Sequence, residues 1–244
     1  MKKWMYAIFI IVEFIMYVFI LQLYQAGNPA SALRYMTTIL CVVIAMGQAL
    51  TDHRASVILL SLAMWMTAGA DFCFVLKSDH LEIGIMFFAA VQLLYGFRIG
   101  AMRREAGIFS IWSVVLRILC VAVICTGFYL TGHMHMLYMW GSVYIVLMIL
   151  NVVESTLLFG KTVSGTCFCI ALMMYAISDI TVGMLYLSAY LPEALILFTN
   201  FLTWILYVPA QVIIVMSGMK GKEKETQMPV IQAAAVMSEQ SRDI

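Results

Sequence analysis

Charge is what this sequence has least of. Its 244 residues hold 14 Lys and Arg against 13 Asp and Glu, 11% in all, where a soluble domain carries about a quarter. With 64% hydrophobic residues, the chain has too little polar surface to cover a water-facing globule, which excludes the soluble classes. The net charge of +1 offers no electrostatic ground for a nucleic-acid partner. Also missing are a P-loop, GxSxG and HExxH, so nucleotide hydrolysis and serine or zinc hydrolase chemistry lack support. None of the 6 cysteines has the paired spacing of a zinc site. All lie inside apolar runs as small packing residues. The first apolar stretch is longer than a secretory h-region and has no small-residue cleavage site, so it reads as a span and not as a leader.

What is there is a succession of apolar segments long enough to cross a bilayer. Eight follow from breaks at charge and turn clusters: Trp4–Tyr24, Leu33–Leu50, Ala55–Leu76, Glu82–Ile99, Gly107–Thr131, Met136–Phe159, Gly165–Ser188 and Glu193–Ser217. Backbone groups in lipid must bond within their own segment, so the spans are helices, and the fold class is an all-α polytopic membrane protein. Residues 1–218 form the transmembrane domain, and 219–244 a mobile cytosolic tail. Lys2, Lys3, Arg54, Arg98, Arg103, Arg104, Lys161, Lys220, Lys222 and Lys224 fall on one side, against Arg34 and Lys77 on the other. That asymmetry predicts both termini in the cytoplasm. "LAMWMTAGADFCFVL" in span three echoes "ALMMYAISDITVGML" in span seven. Spans four apart run in the same direction, so the echo points to a duplicated four-helix unit.

Five ionisable residues lie inside spans: Glu13, Asp71, Arg117, Glu154 and Asp179. Each costs about 2.5–3.5 kcal/mol at a helix centre and requires a reason. Glu13 and Arg117 are both about ten residues above the cytoplasmic ends of their helices, hence at similar depth, which predicts an ion pair. The sharper alternative has Arg117 holding a phosphate or carboxylate headgroup. Glu154, nearer the boundary, needs only snorkelling or a partner in a neighbouring loop. Asp71 and Asp179 are too short to snorkel, so they face protein or a wet cavity. Thr67 and Tyr175 each lie four residues before an aspartate, on its face; Gln92 with Tyr95, and Trp204 with Tyr207 and Gln211, make similar stripes.

Three readings of the aspartates are open from the residues alone. Two carboxyl groups away from water can divide into a protonated acid and an ionised base, the arrangement used on acetals and glycosides. They can instead simply accept hydrogen bonds from Thr, Tyr or backbone donors. Intramembrane acids also mark proton- or ion-coupled transport pathways. In the loops, His80, His133 and His135 with Asp79 are weighed as metal ligands and read as solvated side chains, so no metal and no cofactor is expected.

At these residues the sequence resembles the YhhN family of eight-span membrane proteins, which includes the lysoplasmalogenases. The resemblance rests on "GAD" ending at Asp71, "GIMFFAAVQLLY" from Gly84 to Tyr95, "ISD" ending at Asp179 and "YVPAQVII" from Tyr207. It implies hydrolysis of the vinyl ether bond of a lysophospholipid drawn from the membrane lipids, releasing a fatty aldehyde and a glycerophospho-base. It further implies Asp71 and Asp179 as the catalytic pair, with Gln92, Tyr95, Tyr207, Gln211 and Arg117 positioning substrate. The alternative is a non-enzymatic lipid- or solute-handling protein, a transporter or sensor, using the same polar cavity. Two departures stand out. Gln92 replaces the family's histidine, and "LRYM" from Leu33 stands where a basic–proline pair is usual.

Overall fold

The computed structural model describes residues 2–26, 28, 30–76, 80–108, 110–132, 135–186 and 190–219. Lys77, Asp79, His133, Lys220, Lys222, Lys224 and all of the tail but Met219 lie outside them, so the tail and the Asp79–His133 metal reading are not described. Among the described residues, eight helices are long and apolar enough to cross a membrane. They are α1 (Lys3–Gln25), α2 (Ser31–Thr51), α3 (Ala55–Asp71), α4 (Leu81–Glu105), α5 (Ile111–Thr131), α6 (Met136–Ser155), α7 (Val163–Tyr186) and α8 (Glu193–Met216). A five-residue π-helical turn, Phe72–Leu76, prolongs α3, and a 3-10 turn, Thr156–Leu158, prolongs α6.

Element boundaries depart from the apolar segments where charge and glycine intervene. Helix α4 runs on past Ile99 to Glu105, because Arg103 and Arg104 in its last turn complement the helix dipole. Gly107, at φ 72°, then turns the chain out, with the Ile108 amide donating to the Arg103 carbonyl at 2.9 Å. Helix α5 therefore starts at Ile111 instead of Gly107.

Packing follows a closed circuit: α2 against α3, α3 against α4, α4 against α6, α6 against α7, α7 against α8, and α8 back against α2. Helix α1 lies against α2 and α8, and α5 against α6 and α4. Replacing each of the first four helices by the one four later, and the reverse, reproduces the same neighbours. The duplicated unit inferred from one short echo is thus legible in the packing. The core inside the circuit is built from Leu60 and Met64 of α3, Val91 and Tyr95 of α4, Phe168 and Tyr175 of α7, and Ile214 of α8, each at most 1% exposed. The flanking α1 and α5 turn Ile8, Ile11, Phe14, Trp112, Ile118 and Val123 outward, as helices facing hydrocarbon do.

Two polar devices tie the bundle together. Pro209, inside α8, has no N–H for the Ile205 carbonyl one turn back. The Tyr17 hydroxyl of α1 donates to that carbonyl at 3.3 Å. At the end bearing most of the basic residues, Arg98 is 1% exposed, not a loop charge as its place in the sequence implied. It donates to the Ser56 carbonyl at 3.1 Å and Ser217 Oγ at 2.9 Å, and its guanidinium lies 4.1 Å over the Phe168 ring.

Candidate active site

Asp71 is the last residue of α3, at 3% exposure, immediately before the π turn. Such turns break the regular bonding ladder and recur at functional sites. Gly84 of α4 lets this turn pack closely, since a Cβ there would meet the Phe74 ring at 2.5 Å. The carboxylate is held by two different helices. Thr38 of α2 donates to Oδ2 at 2.5 Å, and Tyr207 of α8 to Oδ1 at 2.5 Å. Gln211, one turn beyond Tyr207, reaches Oδ2 at 3.5 Å. Of these, Tyr207 and Gln211 were legible as a stripe. Thr38 was not, because nothing in the sequence distinguishes it from its neighbour Thr37.

Asp179 of α7 is partly buried and accepts a hydrogen bond from Tyr144 of α6. Tyr144, too, was missed. The arrangement repeats that of Asp71: Thr38 and Tyr144 occupy equivalent places on α2 and α6, each giving its hydroxyl to the aspartate of the following helix. Tyr95 and Tyr207 are likewise equivalent on α4 and α8. Tyr207 bonds Asp71, whereas the Tyr95 hydroxyl lies 3.9 Å from Met64 Sδ. Of the two tyrosines, only Tyr207 bonds an aspartate among the described residues.

No hydrogen bond joins the two aspartates among the described residues. A set of rings links the residues that clasp them. Tyr175 packs on Tyr207 with centroids 5.5 Å apart, Phe88 on Tyr175 at 6.4 Å, and Tyr144 on Phe88 at 5.9 Å. The Tyr175 hydroxyl is buried and has no partner among the described residues. It is one polar atom left for something else to meet. Two shallow clefts, one against Gly127 and Ser142 and one against Gly96 and Arg104, open elsewhere on the surface.

The Glu13–Arg117 ion pair expected from depth does not form. Equal depth does not make neighbours when α1 and α5 flank different parts of the circuit. Arg117 instead bonds Glu154 of α6, Nη1 to Oε1 and Nη2 to Oε2, both at 2.9 Å. It also bonds Ser113 Oγ at 2.7 Å and Asn151 Oδ1 at 2.9 Å. Gly96 makes room for this guanidinium, since a Cβ there would collide with its Nε. Glu13, at 2% exposure, receives a weak contact from Cys41 Sγ at 3.7 Å.

Gln92 is fully buried and bonded to α6. Asn151 Nδ2 donates both to the Gln92 carbonyl at 2.7 Å and to Oε1 at 2.9 Å. A relay of contacts therefore runs from Glu154 through Arg117 and Asn151 to Gln92. Gln92 Nε2 is buried without a partner among the described residues.

The YhhN family pattern matches residues 30–218, from just before α2 to just past α8. The chain belongs to the YhhN family. No curated protein and no solved structure matches it. Every polar contact to Asp71 and Asp179 described above falls within the matched span, while α1, with Glu13 and Tyr17, falls before it. The YhhN region by itself thus holds both aspartates and their clasps.

Proposed function

We propose that this YhhN protein is a lysoplasmalogenase-like hydrolase, cleaving the vinyl ether bond of a lysophospholipid to a fatty aldehyde and a glycerophospho-base. The observation that carries this reading is the clasp on Asp71, a buried carboxylate fixed by Thr38, Tyr207 and Gln211, with a second carboxyl, Asp179, across a wall of aromatic rings. Orientation follows the basic residues: both termini are cytoplasmic, and the substrate comes from the surrounding lipid.

The two sites suit two roles. Asp71 accepts from three donors, which matches an ionised carboxylate; Asp179 accepts from one, leaving an oxygen to carry a proton. Asp179 is therefore the general acid. Its proton passes to the vinyl carbon distal to the ether oxygen, on the hydrocarbon-chain side, giving an oxocarbenium ion at the carbon attached to the ether oxygen. Asp71 stabilises that cation and orients the attacking water. Water adds to the cation and returns a proton to a carboxylate, and the hemiacetal collapses to aldehyde and alcohol. The net change is one water consumed and one C–O bond broken. Arg117 and Gln92, joined through Asn151, act as positioning residues.

The test is aldehyde release by the purified full chain in detergent, comparing alkenyl, alkyl and acyl lysolipids. Aldehyde from the alkenyl lipid alone is expected, and Asp71→Asn and Asp179→Asn each reduce it by about 100-fold or more. No aldehyde from any vinyl ether overturns the reading. Full activity in both variants overturns the mechanism.

A further inference from the structure

Of the four arginines that the bundle buries, three have hydrogen-bond acceptors. Arg98 has Ser56 and Ser217, Arg103 has the Ile108 carbonyl, and Arg117 has Glu154. The fourth, Arg34, has none among the described residues. It is 8% exposed, and its Nε and Nη2 are buried without a partner among the described residues. None of the ion pairs among the described residues includes it. What holds it is aromatic: its guanidinium carbon lies 3.4 Å over the centre of the Trp204 ring and 5.8 Å from the Tyr24 ring. A stacked guanidinium keeps its in-plane N–H donors, and these match the oxygens of a phosphate. A buried cation without an acceptor is costly enough to require one.

Its position relative to Asp71 says which phosphate. Arg34 is one turn before Thr38 on the same face of α2, about 6 Å along the axis, and Thr38 donates to Asp71. On α8, Trp204 is one turn before Tyr207, which also donates to Asp71. Both pairs put the guanidinium one turn beyond the carboxylate, away from the end that bears most of the basic residues. In a glycerophospholipid, the sn-1 ether oxygen and the phosphorus are separated by three glycerol carbons and one ester oxygen, a span of similar length. The polarity agrees as well. With Asp71 on the ether-oxygen side of the bond and Asp179 on the hydrocarbon-chain side, the headgroup extends from Asp71 towards Arg34.

We infer that Arg34, stacked on Trp204, is the subsite for the substrate's phosphodiester, in place of Arg117, whose donors are taken by Glu154. This rests on the lysophospholipid reading for its ligand but not on hydrolysis for its test. The probes are two uncleavable lipids, 1-O-hexadecyl-glycero-3-phosphocholine and 1-O-hexadecyl-glycerol, with inorganic phosphate as competitor. Their binding to the full chain in a phosphate-free detergent is measured for wild type, Arg34→Gln and Arg34→Lys.

Arg34→Gln is expected to weaken the phosphocholine lipid by about 10- to 100-fold and to shift the phosphate-free lipid by far less. Arg34→Lys is expected to recover part of the loss. Equal loss for both lipids, or none for the phosphocholine lipid, overturns the assignment. So does displacement of both lipids alike by inorganic phosphate, which marks a free-phosphate site. Selective loss in Arg34→Gln with no aldehyde from any vinyl ether retires the hydrolase and leaves the phosphate subsite standing.

Discussion

Removing either partner of the Arg117–Glu154 pair tests whether Arg117 is a structural anchor or a ligand contact. The side chains are 4% and 12% exposed, and breaking such a buried pair from one side costs about 3–5 kcal/mol. The two sides are not equal. After Arg117→Met, Glu154 keeps Ser113 Oγ at 2.7 Å and Arg103 at 3.7 Å, so the loss falls near the lower figure. After Glu154→Leu, Arg117 keeps only the neutral oxygens of Ser113 and Asn151, which puts its loss near the upper one. The double variant Arg117→Met/Glu154→Leu removes both charges together, and its stability returns to within about 1–2 kcal/mol of wild type. Equilibrium unfolding in mixed micelles, read by tryptophan emission, supplies the cycle. Single variants that leave stability unchanged, with Arg117→Met abolishing binding of a phosphocholine lysolipid, would refute the anchor role and return Arg117 to the headgroup.

Further expectations concern the aspartate clasps and the proline. Tyr144→Phe removes the one hydroxyl bonded to Asp179 among the described residues, while Tyr207→Phe leaves Asp71 with Thr38 and Gln211. The aldehyde-forming kcat should fall by about 10-fold or more in each, and further in Tyr144→Phe; an equal or reversed order contradicts the acid and base assignment. Tyr17→Phe should cost about 1 kcal/mol by leaving the Ile205 carbonyl without its donor. In a Pro209→Ala background, the new backbone N–H can serve that carbonyl, and the Tyr17→Phe cost should disappear from the same unfolding assay.

The acids are legible in the sequence, and only part of what holds them is. Asp71 and Asp179 stand out because a carboxylate in an apolar run is costly wherever the helix sits. Tyr207 and Gln211 stand out because their spacing puts them on one face. Thr38, Tyr144 and Asn151 have no such mark: a single polar residue within a span looks alike whether it faces a partner or a lipid chain. Arg34 was counted as a loop charge because it is only four residues into its helix, and nothing in the chain's order says that Trp204 lies over it. Depth, which hydropathy gives, paired Glu13 with Arg117; lateral position, which it does not give, separated them.

The amino-acid pattern by itself determined the class, the span number and the burial of two aspartates, because each depends on the free energy of single residues in hydrocarbon summed along one helix. The side-by-side order of helices decided everything that takes two of them. It joined Arg117 to Glu154, closed Thr38 and Tyr207 on Asp71, and left Arg34 stacked on Trp204 with no acceptor among the described residues. Those contacts depend on which faces meet, and a one-dimensional pattern of apolar residues, greasy on nearly every side, leaves the faces unassigned.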